Sequence, residues 1–105
     1  MKPETIERIR RFSDDRDWDQ FHSPENLAKS IAIEAAELLE CYQWDNNPEL
    51  EKVEEELADV LNYSLQMAAK LNLDPAAIIR KKMLINAKKY PVEKSKGRST
   101  KYDQL

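Results

Sequence analysis

Apolar side chains recur every three or four residues along most of this chain, the spacing of one face of an α-helix. In the first run Ile6, Ile9 and Phe12 share a side, so a helix is predicted from Pro3 to about residues 14–17. The second starts at "HSPENL" and is predicted to reach about Trp44. There Ser23 suits the N-cap, Pro24 the first helical position and Glu25 the positive helix end. "DNNP" breaks the pattern, and Asn47 with Pro48 repeats the cap-plus-proline signal for a third helix ending near Leu71. After "NLDP", Asp74 caps and Pro75 opens a fourth, which stops near Tyr90 because Pro91 follows. The remainder, residues 91–105, has no helical period and is rich in Lys and Arg. The expected fold is therefore all-α, with about four helices, the second and third antiparallel and the fourth alongside them in a bundle.

Two of the apolar stripes contain acids. An α-helix turns about 100° per residue, so Leu27, Ile31, Leu38 and Cys41 fall within roughly 60° of Glu34. Glu37 borders that stripe, while Glu40 points toward solvent. On the third helix Val53, Val60, Tyr63 and Met67 flank Glu56 in the same way, and Asp59 borders it. Placed antiparallel, the two helices turn a Glu34–Glu37 pair toward a Glu56–Asp59 pair. Four negative charges in a partly desolvated cleft repel strongly and stay ionised only when a cation is bound. Oxygen-only ligands suit a hard cation, Mg²⁺ first. Charged helices often carry Glu-x-x-Glu by chance, so one motif is weak; two on the inner faces of neighbouring helices say more.

A chain of 105 residues fits one domain, spanning residues 1–105 here, and buries a modest core, which favours self-association. The net charge of −3 makes a nucleic acid polymer a poor partner, because phosphate contacts dominate that affinity. Gly occurs once and Ala, Leu, Glu and Lys dominate, which supports helix throughout. Cys41 is the sole cysteine, so neither a disulfide framework nor a cysteine zinc site forms within one chain. No signal peptide and no apolar run of about 18 residues is seen, so a soluble cytoplasmic protein with no membrane partner is expected.

Carboxylate-rich helical bundles serve two familiar chemistries. Di-iron oxidases want Glu-x-x-His on paired helices. The only histidine, His22, precedes the second helix, and no Glu-x-x-His exists. Mg²⁺-dependent phosphate chemistry fits better, with water as the attacking group because the acids supply no nucleophile. Trp18, His22, Trp44 and Tyr63 suggest an aromatic clamp for a nucleobase, although a single Trp or Tyr is more often a core or interface residue. Lys94, Lys96, Arg98 and Lys101 place positive charge near an anionic ligand, or form a solvated end.

Five stretches then match a known pattern: "RDWDQFHSPENL", "IEAAELLECYQW", "EELADVLNY", "KKMLINAKKYP" and "SKGRSTKYDQL". Together they span nearly the whole chain, which resembles the all-α MazG-like nucleoside triphosphate pyrophosphohydrolases of the dCTP pyrophosphatase type. The resemblance implies a MazG-like helical bundle assembled as a homodimer or homotetramer, with active sites at subunit contacts. It implies Mg²⁺-dependent cleavage of a nucleoside triphosphate, dCTP or a modified dCTP foremost, to the monophosphate and pyrophosphate in nucleotide-pool house-cleaning. By position, Glu34, Glu37, Glu56 and Asp59 would be the catalytic metal ligands. The segment from Trp18 to His22, with Trp44 and Tyr63, would hold base and sugar, and Lys82, Asn86 and Tyr90 lie in the matching fourth-helix motif. The chain departs from that pattern in a short link after Trp44 and in Ile9, where relatives can offer a histidine. Two non-catalytic readings stand beside it: a helical interaction module, for which Glu34 would be solvent-exposed and replaceable, and a regulator that binds dNTP without cleaving it.

Overall fold

The computed structural model describes residues 3–97. Its elements are α1 (Pro3–Asp15), α2 (Pro24–Glu40), α3 (Leu50–Lys70), α4 (Pro75–Lys89) and α5 (Val92–Ser95), with one 3₁₀ turn at Trp18–Phe21. No strand occurs among the described residues. The chain divides into two compact units, Met1–Leu73 and Asp74–Leu105. In the first, α2 and α3 pack as a helical hairpin and α1 leans on α3.

The helix starts follow their local chemistry. Ser23 accepts a hydrogen bond from the Asn26 N–H at 3.2 Å, and Pro24 occupies the first turn of α2. α4 opens at Pro75 behind Asp74, although the Asp74 side chain makes no cap bond. Two boundaries differ from the expectation. α2 stops at Glu40 and residues 41–44 turn away from the helix, so Trp44 lies outside it. α3 starts at Leu50 behind Glu49, because Asn47 and Pro48 are spent on a turn. There the Asp45 carboxylate accepts from the Asn47 N–H at 2.9 Å, an Asx turn that competes with helix capping.

Two short elements fall where irregular chain was expected. The Trp18–Phe21 turn follows Asp17, which sits in the left-handed region with φ 53°. Short Asp and Asn side chains enter that region more readily than other residues, so Asp17 ends the run of α1 and redirects the chain. The α5 turn at Val92–Ser95 breaks the predicted irregular tail, behind Pro91. Arg98 and Lys101 lie outside the described residues.

The core of the first unit is small. Leu27 is fully buried, and Ala68 and Ser13 are also buried. Leu39, Leu50 and Leu61 in this unit are exposed, as are Ile79, Met83 and Leu84 on α4. Exposed apolar side chains in such number are what a partner surface covers.

Candidate metal and nucleotide site

The register of α2 and α3 sets the acids. Three residues separate Glu34 from Glu37 and Glu56 from Asp59, so each pair stacks on one helix face. Packing α2 on α3 gathers all four: one carboxylate oxygen from each of Glu34, Glu37, Glu56 and Asp59 lies within 4.8 Å of the others. Glu34 and Glu56 are half-buried and Asp59 is exposed, so the cluster opens to solvent on one side. The Oε2 atoms of Glu34 and Glu56 are shielded from water and have no hydrogen-bond partner. Shielded carboxylate oxygens without a donor are costly, and a bound cation removes the penalty. A solvent-exposed, replaceable Glu34, as an interaction module requires, does not match this burial.

The electrostatics follow from the crowding. The Glu34 carboxyl is pushed up to about 7, first by a hydrogen bond with Glu37, then by burial, and then by the charges of Glu37, Asp59 and Glu56. Glu56 is also raised, first by burial and then by the charge of Glu37, its hydrogen bond and the charge of Asp59, with Lys52 opposing. The metal-free cluster therefore holds the Glu34 proton to about pH 7, and a divalent ion competes with it. In an octahedron of Mg²⁺–oxygen bonds, opposed ligands lie about 4.2 Å apart, and in a Ca²⁺ site roughly 4.6–5.2 Å. The all-oxygen donor set and its spread suit a hard divalent cation.

The aromatic residues fall into separate places. His22 and Tyr63 meet edge to face with ring centroids 6.2 Å apart, and Tyr63 lies one turn beyond Asp59 on α3. Trp18 packs edge-on to Phe12 at 5.8 Å, and the Arg16 guanidinium sits 3.6 Å over the Phe12 ring. Trp44 is 89% exposed, at the far end of α2 from Ser23. The 17 residues of α2 are about 25 Å long, so Trp44 and His22 of one chain do not clamp one base together. Lys82 and Asn86 are exposed one turn apart on α4, and Tyr90 caps that helix through its N–H to the Asn86 carbonyl at 2.8 Å. These three belong to the second unit.

Several residues that the sequence reading passed over hold the Trp18–Phe21 turn in place. Asp19 pairs with Lys70 at the end of α3, which holds the Asp19 carboxyl below its ordinary range by hydrogen bond and by charge. Gln20 Nε2 donates to the Asp17 carbonyl at 2.9 Å, and Asn26 Nδ2 donates to the Phe21 carbonyl at 3.0 Å. The periodicity of α3 held a signal for Lys70, which shares a stripe with Asp59 and Tyr63.

Comparison with known proteins agrees with this architecture. The MazG-like family profile matches residues 29–105. The chain belongs to the MazG-like family. It is 39% identical to dCTP pyrophosphatase 1 of Mus musculus over 96% of this chain and 68% of that one, and 38% identical to the Homo sapiens protein of the same name over the same shares. The fold resembles the crystal structure of a pyrophosphatase from Archaeoglobus fulgidus with a TM-score of 0.75 and 39% identity, over 84% of this chain and 90% of that one.

Proposed function

We propose that the protein is a Mg²⁺-dependent nucleotide pyrophosphohydrolase that cleaves a deoxynucleoside triphosphate, dCTP or a modified dCTP first, to the monophosphate and pyrophosphate. One observation carries this reading most: Glu34, Glu37, Glu56 and Asp59 converge within 4.8 Å, with two shielded oxygens lacking any donor. Relatives that share 38–39% of the sequence are dCTP pyrophosphatases, which supports the substrate class.

Glu34, Glu37, Glu56 and Asp59 would hold the metal, which when bound neutralises phosphate oxygens and makes water a stronger nucleophile. The carboxylates orient the water in line with the α–β anhydride bond, and one of the glutamates takes the proton it loses. The α-phosphorus gains the water oxygen, and pyrophosphate leaves with the bonding pair. His22 and Tyr63 border the nucleoside, and Trp18 adds to that border from the preceding turn. Trp44 serves the site of a neighbouring copy, since it stands too far from His22 of its own chain. The protein is accordingly a homodimer or homotetramer. No helix among the described residues is long and apolar enough to cross a membrane, and an enzyme that acts on the nucleotide pool would work in the cytoplasm.

The test is direct. Purified protein with Mg²⁺ and each dNTP in turn is expected to release monophosphate and pyrophosphate, fastest from dCTP. Orthophosphate as the first product would identify a phosphatase instead. Tight dNTP binding without turnover would identify a regulator.

A further inference from the structure

A cavity of about 170 Å³ opens between α1, α3 and the start of α2, with Ile9 and Leu65 among its apolar walls and His22 at its edge. One wall carries a hydrogen-bonded relay. The hydroxyl of Ser13, only 6% exposed, donates to Gln66 Oε1 at 3.4 Å, and Gln66 Nε2 donates to Asn62 Oδ1 at 3.1 Å. Ser13 and Gln66 both line the cavity. Seven residues after Asp59, Gln66 lies within about 20° of it on α3 and roughly 10 Å farther along the axis. Tyr63 falls between them, and its His22 partner reaches the same cavity. An acid cluster, an aromatic pair and an amide-lined cavity thus follow one another along one helix face. Phosphates, sugar and base follow one another in a nucleotide in the same order.

We propose that Gln66 determines the base specificity of this chain: its amide, oriented by Ser13 and Asn62, reads the Watson–Crick edge of a cytosine seated in the cavity. This rests on the pyrophosphohydrolase reading above. A primary amide has two lone pairs and two N–H donors, and the relay uses one of each. One acceptor and one donor remain side by side. Cytosine presents the complementary pair, an amino donor next to a ring-nitrogen acceptor. Uracil and thymine present the reverse pair. To meet them Gln66 has to turn over, which sets its oxygen against the Asn62 oxygen unless Asn62 turns as well. Asn62 therefore sets the polarity that matches cytosine, while the Ser13 hydroxyl, able to donate or accept, holds the amide in place. A polar relay that only joined α1 to α3 would gain little over apolar packing, because buried polar groups carry a desolvation penalty.

The experiment measures kcat/KM for dCTP and dUTP on the full chain with Mg²⁺, for wild type, Q66L and S13A. The ratio of the two constants is unaffected by any inactive fraction, so a folding defect alone does not move it. Wild type is expected to favour dCTP. Q66L should lower the dCTP:dUTP ratio about tenfold, and S13A, which removes one hydroxyl, about threefold. A wild type without preference between the two, or ratios within about twofold of wild type in both variants, overturns the assignment of Gln66 while leaving the pyrophosphohydrolase reading intact. A wild type inert toward every triphosphate overturns both.

Discussion

Glu34 and Glu56 each place a carboxylate oxygen where neither water nor a hydrogen-bond donor reaches it. Such an arrangement is unfavourable in the metal-free chain and favourable once a cation arrives. Glu34→Gln and Glu56→Gln should therefore lower kcat/KM by roughly 100-fold or more. The same variants should melt no lower than wild type without metal, because a like-charge repulsion is relieved. A large loss of stability in both would mark the acids as structural instead. The pH dependence has a definite sign. Glu34 keeps its proton to about pH 7 in the folded chain, against an ordinary value of 4.5. Between those values the folded state binds more protons than the unfolded one, so stability falls as pH rises through that window. The raised Glu56 acts in the same direction. Melting curves of metal-free protein at several pH values should show that fall, and Glu34→Gln should flatten it. The four acids could be read from helical register alone, since burial of Glu34 among Leu27, Ile31 and Leu38 is a matter of angle. The separation of His22 from Trp44 was implied by the same pattern, because the helix predicted between them is itself about 30 Å long.

One helix start and one helix end depart from the sequence reading, those of α3 and α2, and the other boundaries of the four long helices agree with it to within a residue or two. Ser23-Pro24 and Asp74-Pro75 put cap and proline in the order a helix start requires, and α2 and α4 open there. The Asn47-Pro48 pair has the same look but closes an Asx turn, and Leu50 begins α3. Nothing as plain as glycine or proline marks the end of α2, where the Cys41 N–H reaches back to the carbonyls of Leu38 and Leu39. The Trp18–Phe21 turn depends on a left-handed Asp17 and on the long-range Asp19–Lys70 pair, and periodicity reports neither. Ser23→Ala removes the bond to the Asn26 N–H at the start of α2. It should cost about 1 kcal/mol, or about 4–8 °C in Tm for a domain of this size. Activity measured well below the melting range should hold, since the cap lies away from the acids. A Tm unchanged by Ser23→Ala would show that packing alone sets that helix start.

At the scale of the whole molecule, the exposed apolar residues and the exposed Trp44 are what the proposed second copy would cover. If Trp44 completes a neighbour's site, Trp44→Ala and Glu56→Gln proteins should each be weakly active alone. Mixed and reassembled, they should regain activity, because a hybrid contains a site with intact acids from one chain and an intact tryptophan from the other. Activity that stays at the average of the two parents would place each site within a single chain. The all-helical architecture and the family were legible in the sequence, because the periodicity and the five matching stretches run through most of the chain. What covers the exposed apolar faces was not, since the pattern marks such faces without saying what meets them.

The proposed function depends on a divalent ion among Glu34, Glu37, Glu56 and Asp59. Anomalous diffraction from crystals of the protein soaked in Mn²⁺ locates such an ion without reference to activity. The strongest anomalous peaks should lie between α2 and α3, within bonding distance of oxygens from those four side chains. Peaks only elsewhere, or none at saturating Mn²⁺, would contradict the account.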